Sequence, residues 1–198
     1  MVGTLPYFPK ISFFLNAVKQ EGIQFQPDIP YDKRLHLNRM VIPGSNGLIN
    51  LSIPILGGRN TKAKMGEVLI DNRYHWQRDH FRSISSVYGR SPYFVFYGDE
   101  LKGLYETPVQ ALIQWNLLCL EWFLRKLRCS EKLTVKKISA EDFVASSEAQ
   151  ILNFGEIKCR EYPQVFQSEI GFQSEVSALD ALLNIGTPNA LKILGLDI

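Results

Sequence analysis

Apolar and polar positions alternate with a period of two in the first half of the chain, and this alternation predicts short strands. The segment 22–26 alternates strictly. Two β-branched, apolar runs, 39–42 and 48–56, flank the turn sequence Pro43-Gly-Ser-Asn-Gly, so we expect a β-hairpin there. The segment 67–71 is expected to form another short strand.

Apolar residues recur every three or four positions in the segments that we expect to be helical. A short helix is predicted from residue 11, and Gly22 stops it. The next helix presents one apolar face, formed by Trp76, His80, Ile84 and Val87. Asn72 is placed to cap this helix and Gly89 to end it. A further short helix is expected after Ser91-Pro92.

The second half of the chain has helical patterns that predict a buried core element. The segment from about 108 to 128 is apolar on nearly all sides, as in helices buried within a protein. Residues 133–138 predict a strand. Ser177 and Asp180 form a capping-box pattern before a helix that Gly186 closes, and a last helix covers 188–194.

This order of elements predicts an α+β (mixed α/β) fold. Strands come early and helices late, and strict strand–helix alternation is absent, which argues against a doubly wound sheet. We therefore expect an early β-hairpin and short strands packed against a long buried helix and several shorter helices. The length of 198 residues fits a single domain spanning 1–198.

Composition excludes several classes of protein. The chain is 45% hydrophobic, with a formal net charge of +2 at pH 7, so it has no strong field and we expect no nucleic-acid partner. Three widely spaced cysteines argue against a secreted disulfide framework. The most apolar window, 109–127, contains Glu121, Arg125 and Lys126, so we expect a buried helix and no membrane span. The predicted localisation is cytoplasmic.

Sequence motifs of common catalytic and cofactor sites are missing. The chain has no P-loop, no G-x-G-x-x-G and no G-x-S-x-G sequence. His75 and His80 are five positions apart, which does not match the H-E-x-x-H spacing, so no metal site is expected. Gly57-Gly58, followed by Arg59, could wrap an anion, but a solvated surface loop is the simpler interpretation. No cofactor can be assigned.

Two groups of polar residues remain as candidates for chemistry. His80 is suited to acid–base catalysis because the ordinary pKa of histidine lies near neutral pH, although the residues alone favour a buried histidine that is hydrogen-bonded to the backbone. Tyr31, Lys33, Asn38 and Arg39 lie within nine residues and could hold a phosphate or carboxylate. The alternative for this segment is an exposed strand with solvated charges.

Several segments together resemble one known family, the WbqC-like family of bacteria. They are Tyr7-Phe-Pro, Tyr31-x-Lys33 with Asn38-Arg39, the block from His75 to Pro92, Tyr162-Pro-Gln-Val-Phe, and Leu179-Asp180 to Gly186. The resemblance covers about residues 5 to 194. It implies a cytoplasmic protein encoded among genes for O-antigen or other surface polysaccharides. His36 and Leu37 depart from the pattern, since relatives carry an aromatic residue and an arginine there.

The resemblance suggests a transferase that moves an acyl or aminoacyl group to a nucleotide-linked amino sugar. His80 would be the general base. The substrate-binding set would be Lys33, Asn38, Arg39, Tyr31, Tyr7 and Asp180. The partner would be a small molecule such as a nucleotide sugar. The alternative is a non-catalytic binding or assembly module of the same pathway, and a nucleic-acid binder would require a continuous basic face.

Overall fold

The structure, a computed structural model, describes residues 2–19, 22–58, 63–129, 133, 135–138 and 159–196. The strands in this part are β1 (Val2–Gly3), β2 (Ile23–Phe25), β3 (Arg39–Gly44), β4 (Gly47–Ser52) and β5 (Val135–Lys137). The helices are α1 (Ile11–Lys19), α2 (Trp76–Tyr88), α3 (Phe94–Tyr105), α4 (Leu112–Lys126), α5 (Gln167–Ile170) and α6 (Leu179–Leu194). The predicted α+β class is confirmed, and helices dominate.

The predicted hairpin is confirmed and its register is defined. β3 and β4 pair antiparallel, with Arg39 opposite Ser52 and Gly44 opposite Gly47. Pro43 and Gly44 belong to β3, so the turn is shorter than expected, and β4 ends at Ser52. The remaining strands form a separate parallel sheet in the order β1-β2-β5. β2 therefore pairs with β1 near the start of the chain and with β5, which lies more than a hundred residues further along.

α4 is the centre of the hydrophobic core, as its apolar pattern predicts. Its Trp115 has no exposed surface and contacts the rings of Tyr7, Trp76 and Tyr105. The fully buried Asn116 donates hydrogen bonds from its side chain to the carbonyls of Leu5 (2.7 Å) and Leu37 (3.0 Å). The helix thus fixes the chain segment before α1 against the segment that enters β3.

Several predicted elements have different bounds in the structure. The strand predicted at 67–71 is wrong, since a 3-10 turn at Met65–Glu67 is followed only by isolated bridges. α3 is 12 residues long and α4 begins only at Leu112, because the residues before it extend along Leu69 and Ile70. The hard-to-interpret stretch 140–152 lies outside the described residues.

The C-terminal helices meet at a kink that the sequence predicts. Gly186 lies inside α6 with φ 71° and ψ 173°, so it separates two helical segments. Pro188 follows it at the start of the second segment, where proline is tolerated. In the described residues no helix has the length and apolar character needed to span a bilayer.

Candidate functional site

The segment from Tyr31 to Arg39 folds into a compact turn that gathers its polar side chains. Asp32 caps the 3-10 helix Lys33–Leu35, accepting a hydrogen bond from the Arg34 backbone N–H at 2.9 Å. His36 ends this helix in the left-handed conformation, with φ 51°. The chain then turns directly into β3, which begins at Arg39. Lys33 and Arg39 are brought to the same face as a result.

These side chains line one pocket of about 500 Å³, which we call the cation pocket. Four of the predicted site residues, Tyr31, Lys33, Asn38 and Arg39, form one side of it. The rest of the lining is formed by Ile53 to Ile55, Gly57, Gly58, Asp71, Arg73 and Tyr74. The volume lies within the range of about 300–1,000 Å³ that is usual for small-molecule sites.

Asn38 braces the pocket from within its wall. Its side-chain nitrogen donates to the Ile53 carbonyl at 2.7 Å, and its side-chain oxygen accepts from the Tyr31 hydroxyl at 3.2 Å. Burial raises the pKa of Tyr31, an effect that the nearby Arg39 partly opposes. Tyr31 therefore remains a protonated phenol at neutral pH. Asn38 positions Tyr31 and the Ile53 segment, and two of its hydrogen-bonding atoms are already occupied.

The charges of the pocket are only partly balanced. Arg73 makes a bidentate contact with Asp71, at 2.8 and 2.7 Å, and hydrogen bonding from this guanidinium lowers the pKa of the Asp71 carboxyl. Lys33 and Arg39, both exposed, form no ion pair and no side-chain hydrogen bond with any residue that the structure describes. Two cations are consequently available to an anionic ligand.

His80 does not line this pocket. It lies on the buried face of α2 with 6% of its surface exposed. Its Nδ1 atom is 3.1 Å from the Tyr7 hydroxyl, which donates to it in the neutral tautomer that carries its proton on Nε2, and its ring also interacts with the Ser52 backbone. Burial lowers the pKa of His80 to about 4. The hydrogen bond to the Ser52 backbone and the charge of Asp79 act in the opposite direction, but their effect is smaller. At neutral pH the imidazole is therefore uncharged.

Tyr7 lies in the core and not at the cation pocket. It has no exposed surface, and its hydroxyl contacts His80 on one side and the Tyr105 hydroxyl on the other. Burial, reinforced by Tyr105, raises its pKa well above the ordinary value. Tyr105, Tyr7 and His80 form a continuous buried chain of polar groups that reaches the hairpin at Ser52, the residue that pairs with Arg39.

Asp180 is also distant from the pocket lining, and its interpretation as a helix cap is wrong. Its carboxylate accepts hydrogen bonds from the hydroxyls of Tyr88 (2.8 Å) and Tyr162 (2.7 Å) and from Gln164 (2.8 Å). The Ser177 N–H, which a capping box would direct to this carboxylate, donates to the Val41 carbonyl. Asp180, which belongs to α6, is thus bound in one buried contact to α2 and to the segment that precedes α5.

The sequence does not indicate that Asp71, Arg73 and Tyr74 belong to the cation pocket. These residues lie in the turn that precedes α2, where the pattern predicts only the end of a strand and the start of a helix. The clue in the sequence is the polar run from Asp71 to His75 between two apolar segments. Asn72 does not cap α2, because its amide binds Trp76 and the Val109 carbonyl.

A continuous basic face for nucleic acid would have to join Arg59, Lys62 and Lys64 with the cations of 125–137. Arg59, Lys62 and Lys132 lie outside the described residues. Lys64 lies 3.9 Å from Asp28, and Lys126 is paired with Glu100. Within the described segments, no group of three or more His, Cys, Asp or Glu residues is arranged to hold a metal ion.

Comparisons with known proteins give one result. The WbqC-like protein family matches residues 6–153, a region that includes the cation pocket, α2 and the core helix α4. No curated protein and no solved structure matches the chain.

Proposed function

This chain belongs to the WbqC-like protein family, and from that premise we propose that its cation pocket binds a phosphate-bearing sugar derivative, namely a nucleotide-linked amino sugar. The observation that carries the proposal is that Lys33 and Arg39 line one pocket and form no ion pair with any residue that the structure describes. An arginine matches two phosphate oxygens at once, and a lysine supplies a compact charge beside it. A diphosphate presents the complementary anion to both.

The rest of the lining suits the other parts of such a ligand. Tyr31 and Tyr74 offer aromatic faces for a base or a sugar ring. Gly57 and Gly58 both have positive φ, at 77° and 54°, and they bring backbone without side chains to the same wall. The Asp71 carboxylate, held by Arg73, can accept a hydrogen bond from a sugar hydroxyl.

We propose acyl or aminoacyl transfer as the reaction. The amine nitrogen of the bound sugar attacks the carbonyl carbon of an activated acyl donor, and an amide C–N bond forms. The bond between that carbon and the donor's leaving atom breaks, and the leaving group departs with the electron pair. The proton lost by the amine passes to a base. The hypothesis names His80 as this base, in its neutral form.

The burial of His80 favours a second candidate function, a non-catalytic binding module of the same pathway. A buried imidazole that contacts Tyr7 and the Ser52 backbone is placed to position β4 behind Arg39. In that role it acts on the ligand only through the hairpin. A base that touches the amine would instead require His80 to face the bound substrate.

Binding is tested by calorimetry with a panel of nucleotide-linked amino sugars, using Lys33→Ala and Arg39→Ala variants. Each variant is expected to weaken binding about tenfold or more, since a lost charge-assisted contact costs about 1.5–3 kcal/mol. Arg82→Ala is the matched control, because Arg82 is an exposed cation on α2 that does not line the pocket. Unchanged affinity in both pocket variants would contradict the proposed site.

Catalysis is tested separately from binding. Amide formation on a bound amino sugar is measured by mass spectrometry with acyl and aminoacyl donors, in the wild-type protein and in His80→Gln. If turnover occurs and His80→Gln binds the sugar normally but loses turnover, His80 acts as the base. If the protein binds the sugar and no donor is consumed, the binding module is the correct function.

A further inference from the structure

A second pocket, of about 580 Å³, lies on the other side of the Asp71–His75 turn. It opens between the start of α2 and the end of α3, and we call it the α2–α3 pocket. It is defined by His75, Arg78, Phe81, Lys102, Tyr105 and Val109. Tyr74 is the one lining residue that it shares with the cation pocket, and all of its lining belongs to the described part of the chain.

The walls of the α2–α3 pocket are held in place by hydrogen bonds between separate segments. The Asn72 side chain donates to the Val109 carbonyl at 2.7 Å and accepts from the Trp76 indole at 3.1 Å. The Gln77 side chain donates to the Thr107 carbonyl at 2.9 Å. The start of α2 is therefore fixed to the segment that leads into α4, and the cavity between them is formed before any ligand binds.

The interior of this pocket is apolar, and its lining carries two cations, Arg78 and Lys102, against one carboxylate, Glu106. Phe81 and Tyr105 lie with ring centroids 6.0 Å apart, and the mostly buried Val109 lies in the same lining. At the rim, Arg78 and Lys102 carry positive charge. Each has a carboxylate nearby, Asp79 at 3.2 Å and Glu106 at 3.9 Å, but these surface pairs are exposed and weak.

His75 adds a third polar group to the rim. Its side chain is exposed and makes no hydrogen bond with the residues that the structure describes. An apolar interior below several convergent polar groups is the usual composition of a site for a small molecule. The interior fits an aromatic ring or a branched chain, and the rim fits a phosphate or carboxylate attached to it.

We propose that the α2–α3 pocket binds a second small molecule, one that carries an aromatic or branched aliphatic group and an anionic group at one end. This ligand class is that of an acyl group on a phosphate-bearing carrier. The assignment of the α2–α3 pocket as the site of the acyl donor rests on the function proposed for the cation pocket. Tyr74, an exposed side chain, lines both pockets, so the two sites adjoin at this residue.

The α2–α3 pocket is also joined to the cation pocket through the core. Tyr105 forms part of its lining and is hydrogen-bonded to Tyr7, which contacts His80. His80 in turn contacts the Ser52 backbone, and Ser52 pairs with Arg39 in the hairpin. Occupation of either pocket can therefore act on a shared set of buried side chains.

Phenyl phosphate, which has both chemical features, is the probe for this pocket. Calorimetry is expected to show binding to the wild-type protein that is at least tenfold tighter than that of inorganic phosphate. Gln110 also lines the pocket. The double variant Arg78→Ala, Lys102→Ala and the filling variant Gln110→Trp should each weaken binding at least tenfold. The matched double control is Arg82→Ala, Arg90→Ala, which removes two exposed arginines outside both pockets.

The two sites are distinguished by crossing ligands and variants. Lys33→Ala, Arg39→Ala should leave phenyl phosphate binding within twofold of wild type, whatever the nucleotide-sugar result. Loss of phenyl phosphate binding in that variant, or binding that survives in both α2–α3 pocket variants, overturns the proposal. So does the absence of binding at millimolar phenyl phosphate. Failure of nucleotide sugars to bind, with phenyl phosphate behaving as expected, overturns only the function proposed for the cation pocket.

Discussion

Burial disfavours the charged forms of His80 and Asp180. It lowers the pKa of His80 to about 4 and raises the pKa of Asp180, although Tyr162, Tyr88 and Gln164 oppose the second shift by hydrogen bonding. The consequences for stability have opposite signs. As pH falls, residue 80 takes up a proton more readily in the unfolded chain than in the folded chain, so the free energy of unfolding decreases. As pH rises, Asp180 loses its proton more readily in the unfolded chain, so the free energy of unfolding again decreases.

His80 makes the folded protein lose stability between about pH 6.5 and pH 4. In this window the unfolded chain binds a proton at residue 80 and the folded chain does not. Because the pKa is about 6.5 in the unfolded chain and about 4 in the folded chain, the free energy of unfolding decreases by about 3 kcal/mol. His80→Gln keeps polar atoms near Tyr7 but does not titrate. We expect the difference in free energy of unfolding between wild type and this variant to shrink by about that amount from pH 7.5 to pH 4.

Urea denaturation at several pH values measures this effect. The contribution of Asp180 is present in both proteins and cancels in the difference. Parallel stability curves for wild type and His80→Gln would show that His80 is not buried in its neutral form.

The four predicted residues of the cation pocket were found because they are close in sequence. Tyr31 to Arg39 spans one turn and the start of one strand, so local pattern alone places these side chains near one another. Tyr7 and Asp180 were assigned to the same site by resemblance, and their sequence gives no sign of burial. A tyrosine hydroxyl or a carboxylate can serve a ligand or a core network, and only the packing around α4 and α6 distinguishes the two.

At the scale of elements, the contact between α3 and α6 depends on Gly186. A Cβ atom added there would lie 2.4 Å from the Tyr93 ring, and the backbone has φ 71° and ψ 173°. That region of φ and ψ is accessible almost only to glycine. The Tyr93 backbone N–H also donates to the Leu183 carbonyl at 3.1 Å, so the ring cannot move away freely.

Gly186→Ala is therefore expected to destabilise the protein by about 3 kcal/mol, the sum of backbone strain and overpacking of about 1–3 kcal/mol each. The matched control is Gly103→Ala in α3, where a Cβ meets nothing within 4 Å. That substitution should stabilise by about 0.5–1 kcal/mol, because alanine favours a helix interior. Thermal unfolding compares the two, and a Gly186→Ala protein as stable as wild type would contradict the kinked packing.

The elements that sequence predicts well are those with a local cause. The hairpin follows from its turn residues, α1 and α2 from apolar periodicity, and the α6 kink from Gly186 and Pro188. The parallel pairing of β2 with β5 has no such local cause. Ile23 pairs with Val135, which is distant along the chain, and both strands are very short. The false strand at 67–71 shows the same limit, because bridges to Ile55 and Ala111 replace a regular ladder.

On the scale of the whole molecule, the C-terminal part is fixed to the region that holds the pockets. The Ser177 N–H donates to the Val41 carbonyl of β3, and the Ala178 N–H donates to the Pro9 carbonyl. Asp180 binds Tyr88 at the end of α2. These contacts join α6 to the hairpin, the N-terminal segment and α2, all of which lie within the region matched by the family.

We therefore expect the described segments to unfold in a single cooperative transition. Trp76, Trp115 and Trp122 are all buried around α4, so their fluorescence reports the pocket region. Amide hydrogen exchange over Leu179–Leu194 reports α6 independently. Because the buried carboxylate of Asp180 would lose three donors if α6 separated alone, local unfolding of α6 costs several kilocalories per mole.

Both probes should give the same denaturant midpoint, and Asp180→Asn should lower the two midpoints together. Exchange of α6 at a lower denaturant concentration than the fluorescence change would show instead that the C-terminal helices form a separate folding unit, and the single-domain prediction for the chain would then be wrong.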